Sequence, residues 1–160
     1  MRMRVKVSCL LAYGLMLLSP LPVGAADWPT FAHDLQRSGW AKEERVITAE
    51  NVRGLELKWK VHLKNEAKFL SALTVPVVAS GVPTSEGLKT MVYVAGSSNV
   101  VYGIDAANGN VVWSRSFESR LAATGGPYQG SFLCPNGITA KPAIDRGTDT
   151  VFVIGMDERL

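Results

Sequence analysis

The side chains able to do chemistry are few and dispersed. Histidine occurs twice, at His33 and His62, and cysteine twice, at Cys9 and Cys134. A zinc site takes three or four nitrogen, sulfur or carboxylate ligands, and neither this number nor its spacing is present. His62 falls on the polar side of an alternating run, where a solvated imidazole is expected. His33 stands beside Asp34 among turn-forming residues, which predicts a structural hydrogen bond. The Gly-rich stretch GGPYQG (125–130) neither follows a strand nor opens a helix, so it is not read as a phosphate cradle. Asn99, Asp105, Asp145 and Asp157 stand at the ends of apolar runs, where short polar side chains accept hydrogen bonds from turn amides. The sequence therefore assigns no catalytic and no cofactor-binding residue, and it predicts no metal site.

Charge and composition bound what can surround these residues. Of the 160 residues 47% are hydrophobic and 19% charged, the balance of a globular chain with a real core. The formal charge of +3 comes from one end: Arg2, Arg4 and Lys6 lie in the first 26 residues, which hold no acid. The remainder carries 14 basic against 14 acidic residues, so no basic patch follows and nucleic acid is not an expected partner.

That first stretch reads as a secretory signal peptide over residues 1–26. MRMRVK is basic, VSCLLAYGLMLL is apolar but too short to span a bilayer, and SPLPVGAA supplies helix breakers and small residues for cleavage before Ala26 or Asp27. Cys9 precedes most of the apolar run and lacks the upstream apolar residue of a lipoprotein site. The expectation is a periplasmic or secreted protein with no stable membrane span once the leader is removed. Cys134 is then the remaining cysteine and cannot pair within the chain, leaving a buried free thiol or a partner beyond these residues.

Residues 27–54 show no sustained period and read as an ordered N-terminal arm, with one helical turn where Thr48 caps Ala49-Glu50-Asn51. LELKWKVHL (55–63) alternates strictly, with Leu55, Leu57, Trp59, Val61 and Leu63 on one face, and predicts a strand. Strands are also expected at 73–80, 90–97, 99–105, 110–117, 138–145 and 150–157, with loops at GVPTSEGLK (81–89) and around 120–137. No helix of ordinary length is visible, so the fold class is all-β. Two units repeat: Pro76 matches Pro142 at an offset of 66 residues, while Tyr93 matches Phe152 and Gly96 matches Gly155 at 59. Trp59 and Trp113 end equivalent strands. About four short strands per unit at this spacing predict propeller blades.

GIDAANGNVVW (103–113) joins two of these strands. Asp105 is placed to accept turn amides, Asn108-Gly109 tolerates positive φ in a tight connection, and Trp113 is expected to bury its indole at a blade interface. The stretch resembles the tryptophan-docking repeat Ala-x-Asp-x-x-Thr-Gly-x-x-x-Trp of pyrroloquinoline-quinone (PQQ) type, quinoprotein alcohol dehydrogenase-like β-propellers. It matches at Asp105, Gly109 and Trp113, with Gly103 and Asn108 as mild departures. DWPTFAHDLQRSGW and the Asn51, Val52, Leu55, Trp59 pattern are similar to the N-terminal segment of that superfamily.

The resemblance implies a β-propeller of four-stranded antiparallel blades, of which 55–160 hold about one and a half, as an N-terminal fragment. It also implies two functions. One is an exported, non-enzymatic scaffold that binds an envelope protein or small ligand through its rim or funnel. The other is a PQQ- and calcium-dependent dehydrogenase oxidising alcohols or sugars. Cys134 is followed by Pro135, so the vicinal cysteine pair common in the dehydrogenases is not found there, and Arg37-Ser38-Gly39-Trp40 departs from their arm. Both features favour the scaffold.

Overall fold

A computed structural model describes residues 27–66, 73–117 and 137–155. The stretch read as a signal peptide (1–26), Cys134, GGPYQG and Asp157 lie outside them.

Four strands, β1 (Val77–Thr84), β2 (Gly87–Ala95), β3 (Val100–Asp105) and β4 (Val111–Ser116), form one antiparallel sheet in the order of the chain. Two more, β5 (Ala143–Asp145) and β6 (Thr150–Phe152), pair as a second antiparallel hairpin. The fold is all-β: one propeller blade and the opening hairpin of the next. The repeat is visible in the register. Val77 faces Tyr93 across β1–β2, and Ala143 faces Phe152 across β5–β6, each one residue after Pro76 or Pro142.

The central strands β2 and β3 are covered on both faces, while β4 is exposed along its length. Val94, Tyr102 and Ile104 point one way and pack with Leu63, Trp59 and Val61. Val77, Ala79, Met91 and Tyr93 point the other way and meet Ile144 and Val151 of the second hairpin. A third cluster, Ala95, Val101 and Ile138, extends that second face. Burial on both sides makes β2 and β3 read as near-continuous apolar runs rather than strict alternations.

Several expectations need correction. The stretch at 55–63 is extended but belongs to no ladder among the described residues. Trp59, Val61 and Leu63 turn onto the sheet as the alternation requires, whereas Leu55 and Leu57 are 63% and 81% exposed. Side-chain packing holds it there, together with a hydrogen bond from the Trp59 indole. GVPTSEGLK is not a loop: β1 and β2 run through it to a two-residue turn at Ser85-Glu86. Gly81, with φ +62, sits in the register shift between Ala79 and Val82, and Pro83 lies on an edge strand, so both breakers are accommodated. The strands expected at 73–80, 138–145 and 150–157 begin later or end sooner, since Leu73 contributes a single bridge and Ile138 packs without pairing.

The helical turn comes slightly late, as a 3-10 turn at Val52–Gly54. Thr48 caps the turn just before it, at 49–51, as expected: its Oγ1 accepts from the Glu50 and Asn51 amides, and its carbonyl accepts from Val52, while the 3-10 turn itself starts at Asn51 without a side-chain cap.

Candidate functional site

The Asp105–Asn110 turn is densely hydrogen-bonded. The Asp105 carbonyl accepts from the Gly109 amide at 2.8 Å, and its Oδ1 accepts from the Ala107 amide at 2.8 Å. Asn108 closes the turn from the other side, accepting from the Asn110 amide at 2.9 Å and donating to Asp105 Oδ2 at 3.3 Å. Gly109 has φ +79, the left-handed conformation that glycine adopts without penalty. It is buried because the Trp59 indole lies on it: a Cβ there would stand 2.7 Å from Trp59 Cε3. Trp59 Nε1 also donates to the Ala106 carbonyl at 2.8 Å. One indole thus joins the 55–63 segment to the neighbouring sheet.

Trp113 does something different from what its spacing predicts. Its indole folds over Gly103, the residue opposite it on β3, where an added Cβ would lie 2.5 Å from the ring. Tyr93 approaches it with ring centroids 5.8 Å apart, and 40% of Trp113 remains exposed. The expected burial at a blade interface is incomplete among the described residues, where this indole has a glycine beneath it and the second hairpin beside it. Nor is Gly103 a mild departure: the missing Cβ is the space that the ring occupies. Trp113, Phe117 and Val101 line an open cavity of about 400 Å³ with Val151, Phe152 and Val153 of the second hairpin.

Lys89 adds a partner to Asp105 that sequence reasoning missed. Its Nζ lies 2.7 Å from Asp105 Oδ2 and 2.9 Å from Glu86 Oε2. The Lys89 hydrogen bond, followed by the Ala107 amide, holds the Asp105 carboxyl below its usual range. The same bond raises the ammonium above its ordinary value. Nothing in the sequence marks this pair, since it depends on the β2–β3 register that sets Met91 opposite Asp105.

A second cluster fastens the N-terminal arm. Trp28 and Val78 exchange two backbone hydrogen bonds, at 2.8 and 2.9 Å, and the Pro29 carbonyl accepts from Ile144 at 2.7 Å. Asp27 Oδ1 accepts from the amide and hydroxyl of Ser80, while its Oδ2 lies 2.9 Å from Arg146 Nε. Arg146 also donates to the Ser80 carbonyl and pairs with Asp149. The arm therefore holds β1 of one blade and β5 of the next. Phe31, under the Lys141 ammonium at 4.0 Å, adds a cation–π contact.

The remaining polar residues keep structural roles. Asp145 accepts from Thr148 and from the Gly147 amide, which lower its pKa in that order. Asn99 is buried in the β2–β3 turn at φ +57, and its Oδ1 has no hydrogen-bond partner among the described residues. His62 is exposed, as its position on the polar side predicts. His33 is not bonded as expected: Asp34 is taken by Ser38, and the imidazole instead packs edge-on against Trp28 at 4.9 Å.

Among the described residues no group of three or more His, Cys, Asp or Glu could hold a metal ion. The oxygens of Asp105 and Asp145 are already bonded within the protein. The described residues therefore do not fit as the donor set of a calcium–PQQ centre. Among them, too, no helix is long and apolar enough to cross a membrane.

An incomplete propeller, with one tryptophan of a neighbouring segment seated on a turn glycine of the blade, is the class that this geometry defines. Comparison with curated proteins adds a specific likeness. The chain is 31% identical over 88 residues to a quinohemoprotein alcohol dehydrogenase of Comamonas testosteroni. The match takes in 55% of this chain and 11% of that protein's length. It agrees with the quinoprotein-type resemblance of the docking motif at the level of the superfamily. No known protein family and no solved structure matches the chain.

Proposed function

We propose that the chain forms the N-terminal arm (27–54), the first blade and the start of the second in an exported PQQ-repeat propeller whose leader is residues 1–26. The protein works in the periplasm or outside the cell as a binding and scaffold module, presenting its rim or funnel to an envelope protein or small ligand. The observation behind this reading is the seating of Trp59 on Gly109 with its N–H on Ala106. The conspicuous carboxylates of this stretch are spent on structure: Asp105 on its turn and on Lys89 of the same sheet, Asp27 on bridging Ser80 and Arg146, Asp145 on its own turn at Thr148.

A second reading, a dehydrogenase using PQQ and calcium, is favoured by the 31% identity to the Comamonas enzyme. Residues elsewhere in the protein would have to hold that cofactor. The two readings separate on the whole purified protein titrated with PQQ and calcium. The module shows no saturable quinone absorbance and no alcohol-dependent reduction of an electron-accepting dye. Dye reduction with primary alcohols would overturn it in favour of the enzyme. N-terminal sequencing of the exported protein should begin at Ala26 or Asp27.

A further inference from the structure

Asn108-Gly109 is the pair of residue types most prone to spontaneous amide loss. The backbone nitrogen of a glycine is unhindered by a side chain and can attack the preceding asparagine Cγ. A bond forms between Gly109 N and Asn108 Cγ, the Cγ–Nδ2 bond breaks, and ammonia leaves. Water then opens the resulting five-membered imide at either carbonyl, to aspartate or to isoaspartate, with no oxidant or reductant involved.

The fold closes this route with four separate restraints. The Gly109 N–H, which must lose its proton to attack, donates to the Asp105 carbonyl at 2.8 Å. Asn108 Oδ1 is held by the Asn110 amide at 2.9 Å, and its Nδ2 by Asp105 Oδ2 at 3.3 Å. Gly109 is itself buried, and the Trp59 indole lies over it, as the 2.7 Å approach of an added Cβ records. The Asn108 side chain is exposed, so water has access once the glycine nitrogen is freed.

We infer that Asn108 is a conditional deamidation site, kept intact by the seated Trp59 and converted when the indole leaves. The conversion is self-sealing. Aspartate at 108 places a second carboxylate against Asp105 and removes the donor now on its Oδ2; isoaspartate adds a backbone methylene, which lengthens the turn and shifts Gly109 relative to Asp105. Either product prevents the turn from offering Ala106 and Gly109 to Trp59 again. Chains whose first inter-sheet joint has failed are thereby marked chemically.

The test compares the whole wild-type protein with Trp59→Phe, which keeps an aromatic ring but loses the N–H on Ala106. Both are incubated at mildly alkaline pH, and Asn108 is followed by peptide mass and by isoaspartate-specific methylation. Asn136-Gly137, the other such pair in the chain, serves as an internal reference. Wild-type Asn108 should survive conditions in which the denatured chain converts. Trp59→Phe should convert Asn108 about fivefold faster, the factor one net hydrogen bond commands, with Asn136 unchanged. The inference is overturned by folded and denatured wild type converting alike, by no acceleration in Trp59→Phe, or by both asparagines accelerating together, which would mean general unfolding. As a separate check, Asn108→Asp should speed hydrogen exchange at Gly109; unchanged exchange would refute the self-sealing step.

Discussion

Replacing Gly109 with alanine isolates the joint between Trp59 and the turn. Two costs combine. At φ +79 a side chain enters a backbone region that L-residues occupy at a penalty of about 1–2 kcal/mol. The new Cβ would also stand 2.7–2.8 Å from Trp59 Cε3 and Cδ2, against a rigid indole that cannot swing aside like a lysine tip. Overpacking of that kind costs roughly 1–3 kcal/mol. Gly109→Ala should therefore destabilise the whole protein by about 2–5 kcal/mol, read from urea denaturation midpoints with the slope monitored. Trp59→Ala alone removes both the packing and the bond to Ala106, at about 3 kcal/mol. In the double variant the indole is gone, so the alanine at 109 costs only its backbone term. The double-mutant cycle should return a coupling of at least about 1 kcal/mol, whereas distant sites add within about 0.5. Additivity at that level would refute the assignment of Trp59 to this glycine.

Three further outcomes follow from the same geometry. Trp113→Ala should cost about 2 kcal/mol, less than complete burial would imply, because 40% of the residue is already exposed; a loss as large as that for Trp59 would show that Trp113 has a second surface over it. Asp105 has a lowered folded pKa, so its contribution is present above the ordinary carboxylate pKa and is lost as pH falls through the folded value. The stability gap between wild type and Asp105→Asn should thus narrow below about pH 4, and a gap constant to strong acid would remove the Lys89 pairing from the account. Lys89 acts with opposite sign: its contribution is whole below the ordinary ammonium pKa and is lost at more alkaline pH as the raised folded value is passed. Arg146→Met should free Asp27 and increase hydrogen exchange at Trp28, Val78 and Ile144 while leaving the β2–β3 amides protected; equal protection throughout would mean that the arm does not depend on the clamp.

Local chemistry was legible in the sequence and long-range pairing was not. Asp105, Asn108 and Gly109 form their turn from residues within five positions, so composition alone located it. The repeat of Pro76 and Tyr93 in Pro142 and Phe152 likewise anticipated the common hairpin register. Gly81 and Pro83 misled because a bulge and an edge strand tolerate what a central strand does not. The partners of Asp27 and Asp105 stayed hidden, since Arg146 and Lys89 reach them only after sheets have formed. The exchange of roles between the tryptophans has the same origin. Spacing makes Trp59 and Trp113 equivalent, but whether an indole is covered depends on which unit stands next to it.

That dependence orders the energetics of the blade. Hairpin contacts such as Thr84 with Gly87 close over three residues, whereas Asp27 meets Ser80 across 53 and Arg146 meets Ser80 across 66. The entropy of closing a loop rises only with the logarithm of its length, so distance along the chain does not itself forbid the clamp. What delays it is that no single pair suffices: Ser80 must present its amide on β1 and Arg146 must leave β5 at the right angle before Asp27 has anything to hold. The arm is therefore a reader of blade geometry. It bonds fully only where two sheets already stand in their proper relation, and the Trp59 joint supplies the same check on the opposite face.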